Sequence, residues 1–515
     1  MSLDFFKKYQ HKLKSKSQIK KIVGAYPRAK KVILCHGVFD VVHPGHVRHL
    51  AYAKSKADIL IASVTEDKFI KKGAYRPHIP EKIRALNLAA FEMVDYVFVD
   101  DEATPINSLK QIKPDYFAKG FEYTNNSLPP ATLDEKKVVE DYGGQMLFTP
   151  GDVVYSSTKF IDLFAPRVEL EKLSLLMEGD KLSFSDLRKI INNLNKHSVH
   201  VIGDTIVDTY TRTTLIGGQT KTPTFSVLKD QEDDYIGGAA IVARHLAAAG
   251  AKVYFSTVLG DDNHKNFVLK GLKKSNIITL PIIDKTRPTT NKNVFISSGY
   301  RLLKVDTLDN RPIFQNDINE ISEQIKNTKA QAIVFSDFRH GIFSEQSIKQ
   351  FITSIPNKLF SVADSQVASR WGNILDFKGF DLITPNEREA RFALADQDST
   401  VGSLSGKICS ISKCKLLFMK LGEKGLFINK SKTKNERSYF SIDSFASHVS
   451  DAVGAGDALL AYSCLSLMEN KSVVAAAIIG SIAAACECEY DGNIPITPEK
   501  VLHKLNTIEK RMNYE

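Results

Sequence analysis

From Lys31 onward the chain alternates short β-type apolar runs with stretches of helical periodicity. The β-type runs are Val32–Cys35, Ile59–Val64, Tyr96–Val99, Tyr116–Ala118 and Gln145–Phe148. Between and after them, helices are predicted over Val47–Lys56, Glu81–Phe91, Ile106–Ile112, Leu133–Tyr142 and Ser156–Phe164. Strands alternating with helices predict a parallel α/β sheet covered on both faces. Ahead of it, Asp4–Ala25 reads as a basic helical lead-in whose apolar points are Leu13, Ile19, Ile22 and Val23.

The pattern changes after residue 165. Val168–Met177 and Ser185–Leu194 read as two bridging helices, with Gly179-Asp180 as a joint. A second α/β pattern then begins with a strand at Val199–Ile202. Thr211–Tyr235 is rich in Thr and β-branched residues and reads as β-ribbons, with a turn at Gly217-Gly218. A helix is predicted over Ala239–Ala249. Strands follow at Lys252–Val258, Ala332–Phe335, Leu359–Ala363, Leu382–Ile383, Lys415–Lys420 and Gly425–Asn429. Gly454–Met468 and Val473–Ala485 read as buried small-residue helices. The expected organisation is a lead-in over 1–28, one α/β domain over 29–165, a helical linker over 166–196 and a second α/β domain over 197–515.

Length agrees with this division, since 515 residues are too many for one core. The composition, 43% hydrophobic and 25% charged, is that of a globular chain. No apolar run reaches the length of a membrane span, and Met1–Gln10 lacks a signal-peptide core, so a cytoplasmic location is expected. None of the six cysteines forms a CxxC pair, and reduced thiols are expected. The net charge of +10 is concentrated in Lys7–Lys31 with little aromatic interleaving, which favours a solvated face over nucleic-acid binding.

Two stretches carry chemistry. The first is Cys35–Leu50, CHGVFDVVHPGHVRHL. A strand, a Gly turn and a helix start gather free N–H groups at one spot, which suits phosphate. His43 and His46 are spaced to share one side of a first helical turn and to stabilise charge on a transferring phosphate. Asp40 is suited either to orienting a histidine or to supporting a metal.

This stretch resembles the HxGH signature of the cytidylyltransferase-like nucleotidyltransferases, a likeness that covers about Lys30–Phe164. The resemblance implies that His43 and His46 are catalytic. It also implies nucleotide contacts from Gly37, Phe39 and Asp40, from Lys72 and Arg76, from the Lys119-Gly120 segment, and from Ser156, Ser157 and Thr158. The implied reaction is attack by a substrate phosphate oxygen on the nucleotide α-phosphorus, releasing pyrophosphate, with ATP or CTP as donor.

The second stretch is Ser450–Leu459, SDAVGAGDAL. Small residues at a helix start let amides approach a phosphate, and a carboxylate held there can take a proton from an attacking hydroxyl. It is neither a Walker A loop nor a GxGxxG dinucleotide turn.

It resembles the signature of the ribokinase-like PfkB carbohydrate kinases, over about His197–Ile508. The resemblance implies Asp457 as base and Gly454, Ala455 and Gly456 as the anion hole. It implies Lys420, Gly422 and Gly425 on the nucleotide side, and Asp204, Asp208, Gly237, Gly238 and Asp337 on the substrate side. Asn386 and Glu389 match a motif that acts indirectly through Mg²⁺, with ATP as phosphoryl donor. The Thr211–Tyr235 ribbons match a small β lid, through which such kinases often pair. Two positions depart from the pattern: Ile241 stands where relatives commonly have a sugar-touching Asn, and Ala452 where they often have Thr.

Together the halves resemble the bifunctional heptose-phosphate kinase/adenylyltransferases of lipopolysaccharide synthesis, with the domain order reversed. This implies phosphorylation of a sugar or sugar phosphate and nucleotidyl transfer to a sugar 1-phosphate, without a nucleic-acid or membrane partner. Two other readings remain open from the residues. One is a cytidylyltransferase for a polyol phosphate beside a divergent kinase. The other is a non-catalytic regulator that binds nucleotides or sugar phosphates.

Overall fold

The structure is a computed structural model describing residues 8–70, 76–120, 130–149, 169–217, 225–366, 373–430, 439–490 and 492–514. The chain forms two compact units: Met1–Lys172 with Met512–Glu515, and Leu173–Arg511. Both are α/β, as the alternating pattern requires.

The first unit holds β1 (Val32–Gly37), β2 (Ile59–Thr65), β3 (Tyr96–Asp100), β4 (Tyr116–Lys119) and β5 (Gln145–Phe148). They form one parallel sheet in the order β3-β2-β1-β4-β5. Successive side chains of β1 face opposite ways, as a strand's period of two demands. Ile33 and Cys35 enter a core with Leu50, Ala53, Ala85 and Leu88. Val32 and Leu34 enter another with Ile19, Leu109, Ile112 and Phe117.

The helical lead-in is interrupted after Lys12, where Leu13 turns extended. Its α-helix spans Lys16–Val23 and starts at a capping box in which Ser15 and Gln18 satisfy each other's backbone. Ile19 is fully buried in the second core, and Leu13 makes a parallel bridge with Val97 of β3. The predicted helix Ser156–Phe164 lies outside the described residues.

The second unit is built on nine strands: β6 (Ser198–Gly203), β9 (Lys252–Leu259), β10 (Ile278–Ile283), β13 (Ala332–Asp337), β14 (Phe360–Ser365), β15 (Leu382–Ile383), β16 (Leu416–Lys420), β17 (Leu426–Lys430) and β18 (Tyr439–Ile442). Their order is β10-β9-β6-β13-β14-β15-β16-β17-β18, parallel from β10 to β16 and antiparallel beyond. Phe335 on β13 packs against Phe343, Phe351, Phe377 and Phe380 at the centre of the main core. The helices Ala455–Asn470 and Val473–Cys488 pack closely because a Cβ on Gly480 would stand only 2.1 Å from Ser463 Oγ.

A separate four-stranded sheet forms the lid, in the order β12-β11-β7-β8. Its ribbon of β7 (Thr205–Gly217) and β8 (Ser226–Gly238) is longer than the Thr211–Tyr235 expected, and residues 218–224, including Gly218, lie outside the described residues. It also recruits β11 (Asn291–Ser297), parallel to β7, and β12 (Tyr300–Thr307). Asp204 alone separates β6 of the main sheet from β7 of the lid.

Candidate active sites

In the first unit β1 runs into Gly37, and Phe39 takes a left-handed φ of +50° that turns the chain toward the helix Pro44–Lys54. The helix begins three residues earlier than the apolar period suggested, because Pro44 supplies a preset φ at its first position and His43 caps it. His43 Nδ1 accepts from the Gly45 amide at 3.1 Å, and His46 Nδ1 accepts from the His43 amide at 3.4 Å. The two rings stack with centroids 3.9 Å apart. Gly45 makes this possible: a Cβ there would stand 2.8 Å from His43 Cε1. Burial, with His43 and His49 adding to it, pulls His46 down to about 4, so the His46 ring works from the neutral state.

The loop carrying these histidines hangs from Arg84, a fully buried side chain. Its guanidinium donates to the Ile79 carbonyl at 2.8 Å, the Thr65 carbonyl at 2.8 Å, Asp67 at 2.5 Å, and the Val38 carbonyl. Asp40 is buried beside it. Its Oδ1 accepts from the Ile79 amide at 2.9 Å, and its Oδ2 has no hydrogen bond among the described residues. Asp40 thus anchors the Ile79 backbone and leaves one buried oxygen available. His36 is fixed to Ser63 at 2.8 Å, and burial with Lys119 nearby holds it low, at about 3.

Lys119, at the end of β4, pairs with buried Glu135 at 2.7 Å, and Gly120 follows it. Arg76 lies at the start of the segment leading to Ile79. Lys72, Ser156, Ser157 and Thr158 lie outside the described residues.

In the second unit the helix Ala455–Asn470 starts at Gly454, whose φ is +87°. A Cβ there would stand 2.6 Å from Asn493 Oδ1 and 3.0 Å from Glu487 Oε1. Ala455 and Gly456 form the first turn, and Asp457 is its third residue. Burial pushes Asp457 far above the usual carboxylate range; Asp364 adds to this and Lys420 opposes it. Lys420 donates to Asp364 Oδ1 at 2.8 Å, as does Thr384 Oγ1 at 2.9 Å. Gly422 and Gly425, with φ of +62° and +85°, close the turn between β16 and β17.

Asn386 and Glu389 satisfy each other: each side chain accepts from the other's amide, at 2.7 and 2.8 Å, and caps the helix Glu387–Leu394. Burial raises Glu389, with Lys420 opposing. Among the described residues no group of three or more His, Cys, Asp or Glu is placed to hold a metal.

On the acceptor side Asp204 behaves differently from the substrate contact expected of it. Its two oxygens accept from the amides of Phe338, His340 and Ile342 at 3.1, 3.1 and 3.3 Å, so it organises that loop. Asp337 at the end of β13 accepts from Ser365 Oγ and from the Arg339 amide, both at 2.8 Å. Burial lifts it to about 7. Asp208 lies under Gly237, where a Cβ would fall 2.1 Å from Asp208 Oδ2. Asn493 donates to that oxygen at 3.1 Å, and burial raises Asp208 to about 6. Gly238 has φ +62° and sits over the Asp204 carbonyl. Ile241 is fully buried in the helix Ala239–Ala248.

Three residues of the two sites were missed by sequence reasoning. His340 is 5% exposed, yet neither ring nitrogen has a hydrogen-bond partner among the described residues. Lys292 on β11 is half-buried and, among the described residues, makes no hydrogen bond or ion pair. Burial and then Lys304 lower Lys292; burial and then Lys292 lower His340, to about 4. Lys292 is in register with Asp208 on β7 and with Asp306 on β12, so the three share one face of the lid. No local motif surrounds Lys292, and Arg84 reads in sequence as an ordinary helical surface charge.

Residues 196–500 match the pfkB family carbohydrate kinases, and residues 34–162 match the Cytidylyltransferase-like family. The bifunctional protein HldE of Geobacter metallireducens is 39% identical over 137 residues, 26% of this chain and 27% of that protein. HldE of Campylobacter concisus is 38% identical over 125 residues, 24% of this chain and 26% of that protein. The chain thus spans about a quarter of the length of these curated relatives, over its nucleotidyltransferase region. Among solved structures, phosphofructokinase-2 from Escherichia coli in complex with potassium superposes with a TM-score of 0.51 at 17% identity, over 61% of this chain and 99% of that one. The same enzyme in complex with substrates and products gives 0.51 at 16%, with the same coverage. Both show a shared fold.

Proposed function

The chain belongs to the pfkB family of carbohydrate kinases and carries a cytidylyltransferase-like domain ahead of the kinase, and from that premise we propose that it is a bifunctional enzyme of nucleotide-sugar synthesis. The kinase half phosphorylates a heptose-like sugar phosphate with ATP. The other half transfers a nucleotidyl group from ATP or CTP to a sugar 1-phosphate and releases pyrophosphate. With nucleoside triphosphates as donors, its place is the cytoplasm.

The observation that carries the kinase reading is Asp457: a buried carboxylate at the start of a helix whose entry requires glycine at 454 and whose first turn is small. Its raised proton affinity suits a base that takes the acceptor hydroxyl's proton. The amides of the Gly454–Asp457 turn receive the phosphate at the positive helix end. Lys420, Gly422 and Gly425 border the nucleotide; Asp208, Gly237, Gly238 and Asp337 border the acceptor. Asp204 positions the 338–342 loop between them. His340 and Lys292 support a phosphorylated acceptor, because a buried imidazole without partners and an unpaired half-buried lysine gain most from an anion.

Mg²⁺ fits as an ion held chiefly by nucleotide oxygens and water, with Asn386 and Glu389 acting through that water, since Mg²⁺ keeps several of its waters when bound. Bound there, it would neutralise triphosphate charge. In the first half, the stacked pair His43 and His46 supports the nucleotidyl reading. Gly37, Phe39, Asp40, Arg76, Lys119 and Gly120 are the described residues assigned to the nucleotide; Lys72 and Ser156–Thr158 complete the assignment. A neutral imidazole at a helix start, as at His46, can donate to the α-phosphate as charge builds up.

A second copy of the chain is the proposed partner, paired through the lid. Leu215, Ile216, Phe225, Leu228, Tyr300 and Leu303 on or beside that sheet are exposed, and pairing through the sheet would cover apolar side chains of this kind.

Pyrophosphate release and ADP formation on the purified protein, with a panel of sugars and sugar phosphates, test the reading. His46→Ala is expected to abolish the first and spare the second, and Asp457→Asn to do the reverse. Binding of ligands with neither product would replace the enzyme by a binding regulator.

A further inference from the structure

Lys420, which borders the nucleotide, is placed to do more than bind it. Lys420 ends β16, where its amide donates to the Pro385 carbonyl and sets it beside Asn386. Its side chain is 16% exposed, and its ammonium donates to Asp364 Oδ1 at 2.8 Å. Thr384 Oγ1 donates to the same oxygen, so Asp364 is held from two sides. A Cβ on Gly456 would stand 3.3 Å from Lys420 Nζ and 3.4 Å from its Cδ. The ammonium therefore lies against the first turn of the helix Ala455–Asn470.

That end of a helix is its positive end, so a cation there is balanced by anions: Asp364, Glu389 and Asp457 all attract this ammonium, and a phosphoryl group arriving at the turn would add to them. Asp457, one residue further on, is 8% exposed, and its carboxylate makes no hydrogen bond among the described residues. Amides at the turn, an ammonium against them and a base with no partner thus converge on one turn of one helix. Lys420 is thus shared among Asp364, Glu389 and Asp457 and still lies against Gly456, where a phosphate at the helix start would meet it.

We propose that Lys420 is a catalytic residue of the kinase half, its ammonium meeting the transferring γ-phosphoryl group, with Asp364 and Thr384 as positioning residues that hold it there. This rests on the kinase reading above. In the step, the bond from the γ-phosphorus to the bridging oxygen breaks and ADP leaves with the electron pair. The acceptor oxygen bonds to phosphorus, and its proton passes to Asp457. The oxygens of the group in flight carry negative charge throughout, and a cation already fixed beside them needs no rearrangement as the charge redistributes. A compact ammonium fits more closely beside a glycine turn than a planar guanidinium does.

The test compares wild type with Lys420→Met and Lys420→Arg. Acceptor-dependent ADP formation is measured from ATP with a panel of free and phosphorylated hexoses and heptoses. Binding of ADP alone and of ADP with aluminium fluoride, which imitates the group in flight, is measured by calorimetry. Lys420→Met is expected to lower kcat by about 100-fold or more, with KM for ATP changed by less than about three-fold. ADP affinity should hold while the gain from aluminium fluoride disappears. Lys420→Arg should recover part of both. Pyrophosphate release by the first half should be unchanged.

A Lys420→Met kcat within about three-fold of wild type would overturn the assignment. So would equal loss of ADP and ADP–aluminium fluoride binding, which would make Lys420 a nucleotide-binding or structural residue. A wild type that forms no ADP with any acceptor overturns the kinase reading itself, and this assignment with it.

Discussion

The amide of His340 donates to Asp204 at 3.1 Å, although 136 residues separate the two in sequence. With the Phe338 and Ile342 amides, this bond ties the loop after β13 to the junction of the main sheet and the lid. Asp204→Ala would leave three buried amides without an acceptor, each at a cost of about 1–3 kcal/mol. We expect the second unit to lose about 3 kcal/mol or more in urea unfolding, and ADP formation to fall by about two orders of magnitude. Asp204→Asn, which keeps an accepting oxygen, should lose less of both.

Gly45 is the middle of the HPGH stretch and the position where a side chain has no room. A methyl at 2.8 Å from His43 Cε1 would turn that ring off the helix start. Gly45→Ala is expected to cut pyrophosphate release by about 100-fold, as loss of a positioned donor does. The far-UV circular dichroism and the ADP-forming activity should stay as they are.

Arg84 holds three backbone carbonyls and Asp67 from a fully buried position. Removing one side of a buried charged network leaves the other unpaired, at about 3–5 kcal/mol. Arg84→Met should therefore lower the unfolding midpoint of the first unit. It should also lower nucleotidyl transfer at temperatures where the variant is still folded, because Val38 loses its tether. Protection of the Val38–Asp40 amides in hydrogen exchange should fall in the same variant.

His46 gives a pH prediction with a definite sign. Its folded value of about 4 lies below the ordinary value near 6.5 because burial, then His43 and His49, disfavour the charged ring. Between those two values the unfolded chain binds a proton that the folded chain does not. The contribution to stability is therefore whole above about pH 6.5 and is lost as pH falls toward 4. A ¹³C-labelled histidine titration should show His46 with a midpoint near 4, moving upward when a nucleoside triphosphate binds, since a nearby anion favours imidazolium. A midpoint near 6.5 in the free protein would show that the ring is solvated and the stacked pair absent.

The two-domain α/β fold and the two candidate sites were legible because their signals are local. HPGH and GAGD each place cap, turn and reactive side chain within a few residues. The parts that were not legible join distant segments. The register of β11 with β7 leaves no trace in either strand's pattern, so the lid looked like a two-stranded ribbon. Lys420 reads as part of a nucleotide-side turn, and only its contact with Asp364, 56 residues away, reveals the ion pair. Asp204 looks like a substrate carboxylate until the amides of 338, 340 and 342 fold onto it. The helix start at Pro44 was missed because apolar period marks where a helix is buried, whereas its cap marks where it begins.

A single residue, Asp204, separates the last residue of β6 from the first of β7. A swing of the lid about that joint is a rotation of the Asp204 backbone, and its side chain must follow. Any turn of the chain at this crossing would therefore be felt by the three amides that the Asp204 carboxylate holds, so the lid's first strand and the 338–342 loop share one anchor.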